Sequence, residues 1–287
     1  MTIPMTLNVR GKLFDLNAQP LVMGILNHTP DSFYSGSRLQ SEEAIHSRIR
    51  QILDEGGTIV DIGGYSTRPD AAEVSPEEEW TRVREVLEIL RRDYPDVIIS
   101  VDTFRADVAR KSVEEGGADI INDVSGGIID PKMFETVADL GVPYILMHMR
   151  GTPRTMQQLT QYSGRVADGV IAELEPKIRT LRDMGVKDII LDPGFGFSKT
   201  TKQNYELMAD LDKFSALELP LLVGISRKSM IYRLLESGDP TKALNGTTVL
   251  NTFSLLHGAH ILRVHDVREA VECVRMVDLL KSYHSAH

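Results

Sequence analysis

The sequence predicts an α/β fold: a single (β/α)8 TIM barrel with a short N-terminal β-hairpin extension. Eight short apolar runs recur along the 287 residues, and helical patterns separate them. The runs are nearly continuous rather than alternating, which is typical of parallel strands covered on both faces. No change in composition divides the chain, so we assign residues 1–20 to the extension and residues 21–287 to one barrel domain.

Each predicted strand ends in a polar residue or a glycine. The segments are LVMGILN (21–27), TIVDIGG (58–64), VIISVDT (97–103), DIINDVSG (119–126), PYILMHM (143–149), DIILDPG (188–194), PLLVGIS (220–226) and HILRVHD (260–266). An open, doubly wound sheet is the main alternative. Eight regular strand–helix units favour the closed barrel.

Helix signals lie between the strands, most clearly in SEEAIHSRIRQILDEG, SPEEEWTRVREVLEILRRDY and REAVECVRMVDLLKSY. The second of these begins with a predicted capping box, because Ser75 precedes a proline and Glu78 follows three residues after Ser75. The first twenty residues do not fit the repeat. LNVRGKLFDL predicts a hairpin that turns near Arg10 and Gly11, and we expect it at the bottom of the barrel.

Composition excludes several classes of function. A net charge of −9 argues against nonspecific nucleic-acid binding. No apolar run approaches the roughly 20 residues that span a bilayer, and the N-terminus lacks the features of a secretion signal. The single cysteine, Cys273, excludes an internal disulfide, and we expect it to pack inside a helix. These features predict a cytoplasmic protein without a membrane or nucleic-acid partner.

Polar residues converge on the predicted mouth of the barrel, where the carboxyl ends of the strands meet. Alternate positions near the strand ends face the same side. They are Asn27, Asp61, Asp102, Asn122, Met147, Asp192, Ser226 with Lys228 just beyond, and the pair Arg263 and His265. Any one of them is explained equally well as a turn or helix-cap residue. Eight strand ends meeting at one mouth predict a binding site.

Two chemistries are indicated at this mouth. Carboxylates and an amide at Asp102, Asn122 and Asp192, with the Lys228 ammonium, match the edge of a flat, amino-substituted heterocycle; a buried ion pair is the alternative for Lys228. Arg263 and His265 suit an anion, or are a solvated arginine beside a strand-end histidine. The loops NHTPDSF, GGYSTRPD and MRGTPRTMQ are candidate lids or simply flexible surface loops.

These motifs together resemble the dihydropteroate synthase family of folate biosynthesis, the target of sulfonamides. NHTPDSF, DIGGYSTRP, SVDT, INDVSGG, MHMRGTPRTMQ, LDPGFGFSKT, GISRKS and RVHDV occur in the family's order. The resemblance implies a (β/α)8 barrel, a homodimer and a requirement for Mg²⁺. It also implies a reaction that condenses 6-hydroxymethyl-7,8-dihydropterin pyrophosphate with p-aminobenzoate to 7,8-dihydropteroate and pyrophosphate.

The resemblance further implies a role for individual residues. Asp31, Lys228, Arg263 and His265 are the expected catalytic residues. The expected pterin contacts are Asp102, Asn122, Met147, Asp192, Gly224 and Lys228. The expected pyrophosphate contacts are Asn27, Arg68, Arg263 and His265, and Asn27 is also the expected metal ligand. The expected p-aminobenzoate and loop residues are Ser32, Phe33, Ser66, Thr67, Arg68, Pro69, Phe197 and Ser229.

Two residues of the second loop depart from the family pattern. Tyr65 stands where glutamate is common, and Asp70 stands where glycine is frequent. Both bear on loop motion and sulfonamide affinity rather than on the reaction. His28 receives no role.

Two other functions are compatible with the same pocket. A pterin-dependent methyltransferase is expected to lack the TPDSF and STRP loops and the anion pair of RVHD, all of which are present here. A non-catalytic pterin-binding paralogue is expected to have lost lid residues or Lys228, Arg263 or His265, and none is lost.

Overall fold

The computed structural model of the chain describes residues 4–28, 38–65 and 73–284, and these ranges contain ten strands and nine helices. The strands are β1 (Thr6–Val9), β2 (Lys12–Asp15), β3 (Leu21–Asn27), β4 (Ile59–Gly63), β5 (Ile98–Asp102), β6 (Ile120–Asp123), β7 (Tyr144–Met147), β8 (Ile189–Asp192), β9 (Leu222–Val223) and β10 (Ile261–Val264). The helices are α1 (Arg38–Asp54), α2 (Pro76–Asp93), α3 (Ala106–Glu114), α4 (Met133–Leu140), α5 (Val166–Asp183), α6 (Thr201–Ala209), α7 (Ser229–Leu234), α8 (Leu244–Leu256) and α9 (Val267–His284). Short 3-10 helices occupy Met156–Gln158, Leu211–Leu217 and Pro240–Lys242.

Strands β3 to β10 form a parallel barrel whose strand order follows the chain. β3 pairs with both β4 and β10. The ring closes between β8 and the start of β9, where Leu191 and Leu221 form a parallel bridge. There the Leu191 N–H donates to the Pro220 carbonyl at 2.8 Å. The predicted (β/α)8 barrel is therefore confirmed.

Each predicted strand segment contains an observed strand. The range predicted for the first barrel strand, 21–27, is that of β3, whereas β9 has two residues where seven were predicted. Helix α2 begins as expected, because the Ser75 hydroxyl accepts the Glu78 N–H at 3.1 Å. The second half of the predicted capping box differs, since the Glu78 carboxylate pairs with Arg82 instead.

The bottom of the barrel is filled by an apolar layer, which we call the bottom layer. It consists of Leu21, Met23, Ile59, Ile98, Ile120, Ile145, Ile190, Leu222 and Ile261. Hairpin residues cover it from below, namely Met5, Leu7, Val9 and Leu16. The predicted hairpin therefore seals the end of the barrel opposite the mouth, and burial of its side chains contributes directly to stability.

The hairpin is held by its turn and by polar contacts to the barrel. β1 and β2 pair antiparallel, and Arg10 and Gly11 form the turn with positive φ angles of 50° and 78°. The Arg10 guanidinium donates to the Pro95 and Val97 carbonyls, both at 2.9 Å. It also pairs with Asp119 at 3.1 Å. These contacts fix the hairpin on the side of the β5 and β6 strand starts.

A larger apolar core lies between the barrel strands and the surrounding helices. Cys273 belongs to this core, and its sulfur accepts the Thr252 hydroxyl at 3.4 Å, so it packs in a helix as predicted. Within the residues that the structure describes, no helix is long and apolar enough to cross a bilayer.

Candidate active site

The inward-facing positions of the strands change from apolar at the bottom to mostly polar at the mouth. Successive inward residues of a strand are two apart. Each of the following residues comes two positions after a bottom-layer residue of its own strand: Asp61, Ser100, Asn122, Met147, Asp192, Gly224 and Arg263. Asp102 lies beside Asn122 in the strand register, and Met147 lies beside Asp192. The period of the strands thus brings together the polar residues predicted to share the mouth.

Arg263 crosses the barrel to two carboxylates. Its Nε donates to Asp61 Oδ2 and its Nη2 to Asp102 Oδ2, each at 2.7 Å. Asp61 is fully buried, and its oxygens also lie 3.3 and 3.4 Å from the Asn122 amide nitrogen. The strand alternation predicts that Asp61 faces the mouth, but no role was predicted for it. In the structure it orients both Asn122 and Arg263.

Burial sets the charge state of these groups. Burial alone lowers the pKa of Arg263, but Asp61 and Asp102 outweigh it, so the pKa is raised and the guanidinium stays charged. Burial raises the pKa of Asp102, although Arg263 opposes this effect. Burial likewise raises the pKa of Asp192, against the nearby Lys228 ammonium. A ligand that donates N–H groups to Asp102 and Asp192 would therefore stabilise their charged forms.

Lys228 lies between the carboxylate side of the mouth and an aromatic ring. Its ammonium donates to the Phe195 carbonyl and lies 4.7 Å from the centre of the Phe197 ring. Burial lowers the pKa of Lys228 to about 8, although Asp192 opposes the shift. Ser229 follows as the first residue of α7 and is half-buried. Lys228 therefore lies beside two of the residues predicted for the p-aminobenzoate side, Phe197 and Ser229.

Met147 and Gly224 form apolar parts of the same mouth. Met147 is buried in a cluster with Phe104, Val124, Met149 and Met156, against which Tyr65, Ile129 and Phe197 pack. Gly224 lies under the polar groups, because a Cβ there would meet Arg263 Cβ at 3.7 Å and Asp192 Oδ2 at 3.9 Å. Both residues are placed where contact with a flat ligand is possible.

His265 and Asn27 line one cavity of about 400 Å³ beside the end of β10. Its remaining lining residues are Ile25, Leu26, Arg48, Gln51, Arg227 and Asp266. Burial lowers the pKa of His265 to about 4, and Arg263 and Arg227 lower it further, so the ring is neutral at neutral pH. The Ser226 hydroxyl accepts the His265 backbone N–H at 3.1 Å and lies 3.2 Å from Nδ1. Because this contact occupies Nδ1, Nε2 is the ring nitrogen left for a ligand.

Two further arginines border this cavity and were not predicted. Arg48 of α1 donates to the Ile25 carbonyl at 3.1 Å and to the His265 carbonyl at 2.7 Å. Arg227 pairs with Asp266 through its Nε at 3.0 Å. Arg227 was visible beside Lys228 in GISRKS, but no motif distinguished Arg48. The cavity therefore has more cationic groups than the sequence indicated.

A buried polar network behind Asp192 was also missed. Lys199 is 3% exposed and its ammonium lies 3.1 Å from His148 Nδ1. His148 Nε2 in turn lies 3.0 Å from Glu173 Oε2, and Arg150 pairs with the same carboxylate. Burial lowers the pKa of Lys199, and it lowers the pKa of His148 to about 4. Lys199 stood in LDPGFGFSKT, but the strand alternation did not extend into that turn.

Tyr65 is the described residue at which the second loop departs from the family pattern. Its ring packs edge-on against Phe104 at 5.1 Å between ring centres, with the Arg105 guanidinium 5.5 Å from the Tyr65 ring. Arg105 pairs with the buried Glu79, whose pKa is raised by burial. The start of this loop is thus held by aromatic and ionic contacts. His28, beside the first loop, lies 3.2 Å from Glu85.

Several predicted residues lie outside the described residues. They are Asp31, Ser32 and Phe33 in the first loop, and Ser66, Thr67, Arg68, Pro69 and Asp70 in the second. Their roles stay predictions. The third loop, after β7, is described and is fixed to the turn after β8, because Ser198 Oγ accepts the Arg150 N–H at 2.8 Å. We interpret this third loop as a wall of the mouth rather than a lid.

The implied metal ion can be tested against the donors at the mouth. Among residues 4–28, 38–65 and 73–284, no group of three or more His, Cys, Asp or Glu side chains could hold a metal ion by itself. Asn27 offers an amide oxygen, which lies against Gly63 at the cavity that also holds His265. Mg²⁺ commonly uses one or two protein oxygens together with substrate phosphates and water. The residues present fit an ion held in that way.

Comparison with known proteins gives a consistent result. The model of the family described as pterin binding enzyme matches residues 23–265. The dihydropteroate synthase of Escherichia coli (strain K12) is 44% identical over 280 residues, which cover 96% of each chain.

Two solved structures extend the comparison to the fold. A dihydropteroate synthase from Yersinia pestis with a sulfonamide drug complex superposes with a TM-score of 0.88 at 40% identity and covers 97% of this chain and 100% of that one. A Xanthomonas albilineans dihydropteroate synthase in complex with 7,8-dihydropteroate gives a TM-score of 0.83 at 34% identity, with 96% and 98% covered.

Proposed function

This chain belongs to the pterin-binding enzyme family, within the dihydropteroate synthases, and we propose how the residues at its mouth divide the work of that reaction. The enzyme joins 6-hydroxymethyl-7,8-dihydropterin pyrophosphate to p-aminobenzoate and releases 7,8-dihydropteroate and pyrophosphate. The bond between the pterin methylene carbon and a pyrophosphate oxygen breaks. The amine nitrogen of p-aminobenzoate bonds to that carbon and loses a proton.

The observation that carries the proposal is the set of acceptors and donors on one wall of the mouth. Asp102 and Asn122 are neighbours in register, and Asp192 lies two strands beyond Asn122, beside Met147. A pterin edge presents ring N–H and amino donors next to a carbonyl and ring-nitrogen acceptors. The carboxylates and the amide take the donors, the Lys228 ammonium supplies a donor, and Met147 packs on the ring face.

The departing pyrophosphate is assigned to the cationic side of the mouth. His265 donates through Nε2–H, and Arg263 adds a guanidinium that its carboxylate partners hold in a fixed orientation. Mg²⁺ held by Asn27 and phosphate oxygens would supply additional positive charge there. Donors already in place stabilise charge on a leaving group without reorganising at the moment of reaction.

The p-aminobenzoate is assigned to the side formed by Lys228, Phe197 and Ser229. The Phe197 ring offers a face for an aromatic ring, and the Lys228 ammonium lies over that face. An arylamine is a weak base that attacks without strong proton removal, so positioning matters more than a general base. Asp31 and the loop residues Ser32, Phe33, Ser66, Thr67, Arg68 and Pro69 would close over this side and exclude water.

The test of the proposal is formation of product by purified protein. Protein, MgCl₂, the pterin pyrophosphate and p-aminobenzoate are expected to give 7,8-dihydropteroate, detected by mass spectrometry. Lys228→Met is expected to lower kcat/KM by about ten- to a hundredfold, the range for a hydrogen bond to a charged group. Lys213→Met is the matched control, because that lysine pairs with Asp168 and Asp210 on the outer surface. The absence of product from the wild-type protein would refute the assignment.

A homodimer that works in the cytoplasm is also proposed. Helices α8 and α9 contact each other through Lys281 Nζ and the Leu255 carbonyl at 2.7 Å. Their outer faces carry large exposed apolar side chains, namely Val249, Leu256, Met276, Leu279, Leu280 and Tyr283. Such a patch supports contact with a second copy, since monomers rarely expose contiguous apolar surface of this kind.

Molar mass by light scattering tests this dimer. The wild-type protein is expected at twice the mass of one chain. Met276→Glu is expected to shift it toward one chain, because Met276 is 69% exposed on α9 and a charge there would be buried in the interface. Met184→Glu changes a methionine that is 48% exposed at the end of α5, and it is expected to leave the mass unchanged. Equal masses for all three proteins would rule out this interface.

A further inference from the structure

Lys199 has a buried side-chain nitrogen that one turn and one strand end surround with three hydrogen-bond acceptors. It donates to the carbonyls of Gly194 and Phe197, at 2.9 and 3.0 Å, and it lies 3.1 Å from His148 Nδ1. An ammonium has three N–H donors, and three acceptors surround it. The side chain is 3% exposed, so water does not provide these contacts.

His148 is held in the tautomer that this arrangement needs. Its Nε2 lies 3.0 Å from the Glu173 carboxylate, which only accepts, so Nε2 carries the proton and Nδ1 is free to accept from Lys199. Arg150 pairs with the same carboxylate from the other side. A chain of polar contacts therefore runs from α5 through the end of β7 to the turn after β8.

The turn that Lys199 holds, residues 194–197, supplies contacts to two substrate sides. The Gly194 N–H donates to Asp192 Oδ1 at 2.8 Å, on the pterin side. The Phe195 carbonyl accepts the Lys228 ammonium, and the Phe197 ring lies beneath it, on the p-aminobenzoate side. All these contacts depend on the path of one short segment.

The 194–197 turn also packs tightly against the end of β7. Gly194 has a φ angle of +70°, and a Cβ there would lie 1.9 Å from the His148 carbonyl oxygen. Ser198, the residue before Lys199, has a φ angle of +52° and is fully buried. A non-glycine residue in this conformation persists only when its surroundings enforce it. Here the contacts of Lys199, and those between Ser198 and Arg150, hold the backbone in this conformation.

We propose that Lys199 is a positioning residue of the active site, which holds the 194–197 turn so that Asp192 meets the pterin and Lys228 meets p-aminobenzoate. The inference rests on the proposed assignment of these two sides of the mouth. It gives the Glu173, His148 and Lys199 network a role in substrate alignment, although none of the three touches the substrates. Arg263 and His265 lie on or just after β10, and in the described part of the chain their hydrogen bonds go to residues other than those of this turn.

The test compares three ligands on one variant. Lys199→Met keeps much of the side-chain volume and removes the donors. It is expected to raise the Kd of free 6-hydroxymethyl-7,8-dihydropterin and the KM of p-aminobenzoate each by at least about tenfold. The Kd of inorganic pyrophosphate, measured with MgCl₂ by calorimetry, is expected to stay within about twofold. A merely structural role would move all three values together or only the melting temperature.

Lys177→Met is the matched control. Lys177 is half-buried, and its ammonium also donates to a backbone carbonyl, that of Gly126, at 2.8 Å. Among the described residues no hydrogen bond joins Lys177 to the 194–197 turn, so all three affinities are expected to stay within about twofold of the wild type. Near-UV circular dichroism and melting temperature show whether each variant is folded.

A second variant keeps the proposal testable if Lys199→Met does not fold. His148→Phe keeps an aromatic ring and removes one of the three acceptors, and it is expected to raise the same two constants by about threefold. Unchanged pterin and p-aminobenzoate constants in a folded variant would overturn the proposal, and so would equal losses for all three ligands. Wild-type protein without dihydropteroate synthase activity would instead overturn the proposed function.

Discussion

The two ends of the barrel are built from the same eight strands, but their inward-facing side chains affect the folded state in opposite ways. At the bottom, isoleucines and leucines from the strands meet Leu7 and Leu16 of the hairpin, all of them buried. At the mouth, Asp61, Asp102, Asp192, Arg263 and Lys228 share a small volume. Burial of an apolar side chain stabilises a fold, whereas burial of a charge costs free energy that its partners only partly return.

The pKa shifts at the mouth are evidence of this free-energy cost of burying charges. Burial raises the pKa of Asp192 and lowers the pKa of Lys228 to about 8, so each group is shifted toward its neutral form. The hairpin has no comparable buried charge on its inner face. The bottom therefore stabilises the barrel, and the mouth holds groups ready for a ligand at some expense in stability.

A substitution at the bottom of the barrel is expected to have the largest effect on stability, and it tests the contrast between the two ends. Leu7→Ala removes a fully buried side chain from the hairpin and is expected to lower the free energy of unfolding by about 2–5 kcal/mol. The kinetic constants of the folded enzyme are expected to stay unchanged, because Leu7 lies at the opposite end from the substrates. Urea denaturation and steady-state kinetics measure the two quantities.

Asp192→Asn is the counterpart at the mouth in the same experiment. It keeps an oxygen for the Gly194 N–H and removes a charge that burial disfavours, so the stability is expected to stay within about 0.5 kcal/mol. Pterin affinity is expected to fall by about 1.5–3 kcal/mol, as for a hydrogen bond to a charged group. If Leu7→Ala weakened pterin binding, or Asp192→Asn destabilised the fold more than Leu7→Ala, the contrast between the two ends would be wrong.

Much of this arrangement could be predicted from the sequence, because strands have a simple period. Asp102, Asn122, Met147 and Asp192 were assigned to the mouth by alternation alone, and the strand register brings them together. The hairpin was also predicted, from a short pattern around Arg10 and Gly11. The family resemblance then indicated which ligand this pocket binds. It is confirmed by the match of the pterin binding enzyme model to residues 23–265.

The rest depends on contacts that no local pattern encodes. Asp61 and Arg263 lie 202 positions apart, and their pairing requires the barrel to close with a particular stagger. Lys199 follows an irregular turn, where the period of the strand no longer tells which way a side chain points. Arg48 reaches His265 from a helix whose sequence has no distinguishing motif. Side chains from turns and helices were therefore found only where a family motif marked them, as for Phe197, Lys228 and Ser229.

A smaller effect, on the pH dependence of stability, is expected from one buried histidine near each end of the barrel. His260, near the hairpin, accepts the Leu221 N–H at Nδ1 at 3.1 Å, and His265 at the mouth contacts Ser226. Burial lowers the pKa of each from 6.5 to about 4, with further lowering by Lys281 for His260 and by Arg263 for His265. Both rings are therefore neutral in the folded protein at neutral pH.

The sign of the pH dependence follows from these values. Between pH 6.5 and about 4 an unfolded histidine binds a proton that the folded one does not. The unfolded state then gains protons, so stability is fully present above pH 6.5 and is lost as the pH falls through this window. His260→Asn and His265→Asn keep an acceptor oxygen and are each expected to reduce that loss by roughly 1–2 kcal/mol at pH 5.

The affinity for pyrophosphate distinguishes the two variants, although the pH dependence of their stability is expected to be alike. At pH 7.5 His265→Asn is expected to raise the Kd of inorganic pyrophosphate, since the Nε2–H donor at the cavity with Asn27 is lost. His260→Asn is expected to bind pyrophosphate as the wild type does, because His260 lies beside the start of β10, away from the mouth. Urea denaturation at pH 5 and pH 7.5, with calorimetry at pH 7.5, measures both properties. Equal pyrophosphate affinity in the two variants would place the anion away from His265 and leave that histidine a purely structural role like that of His260.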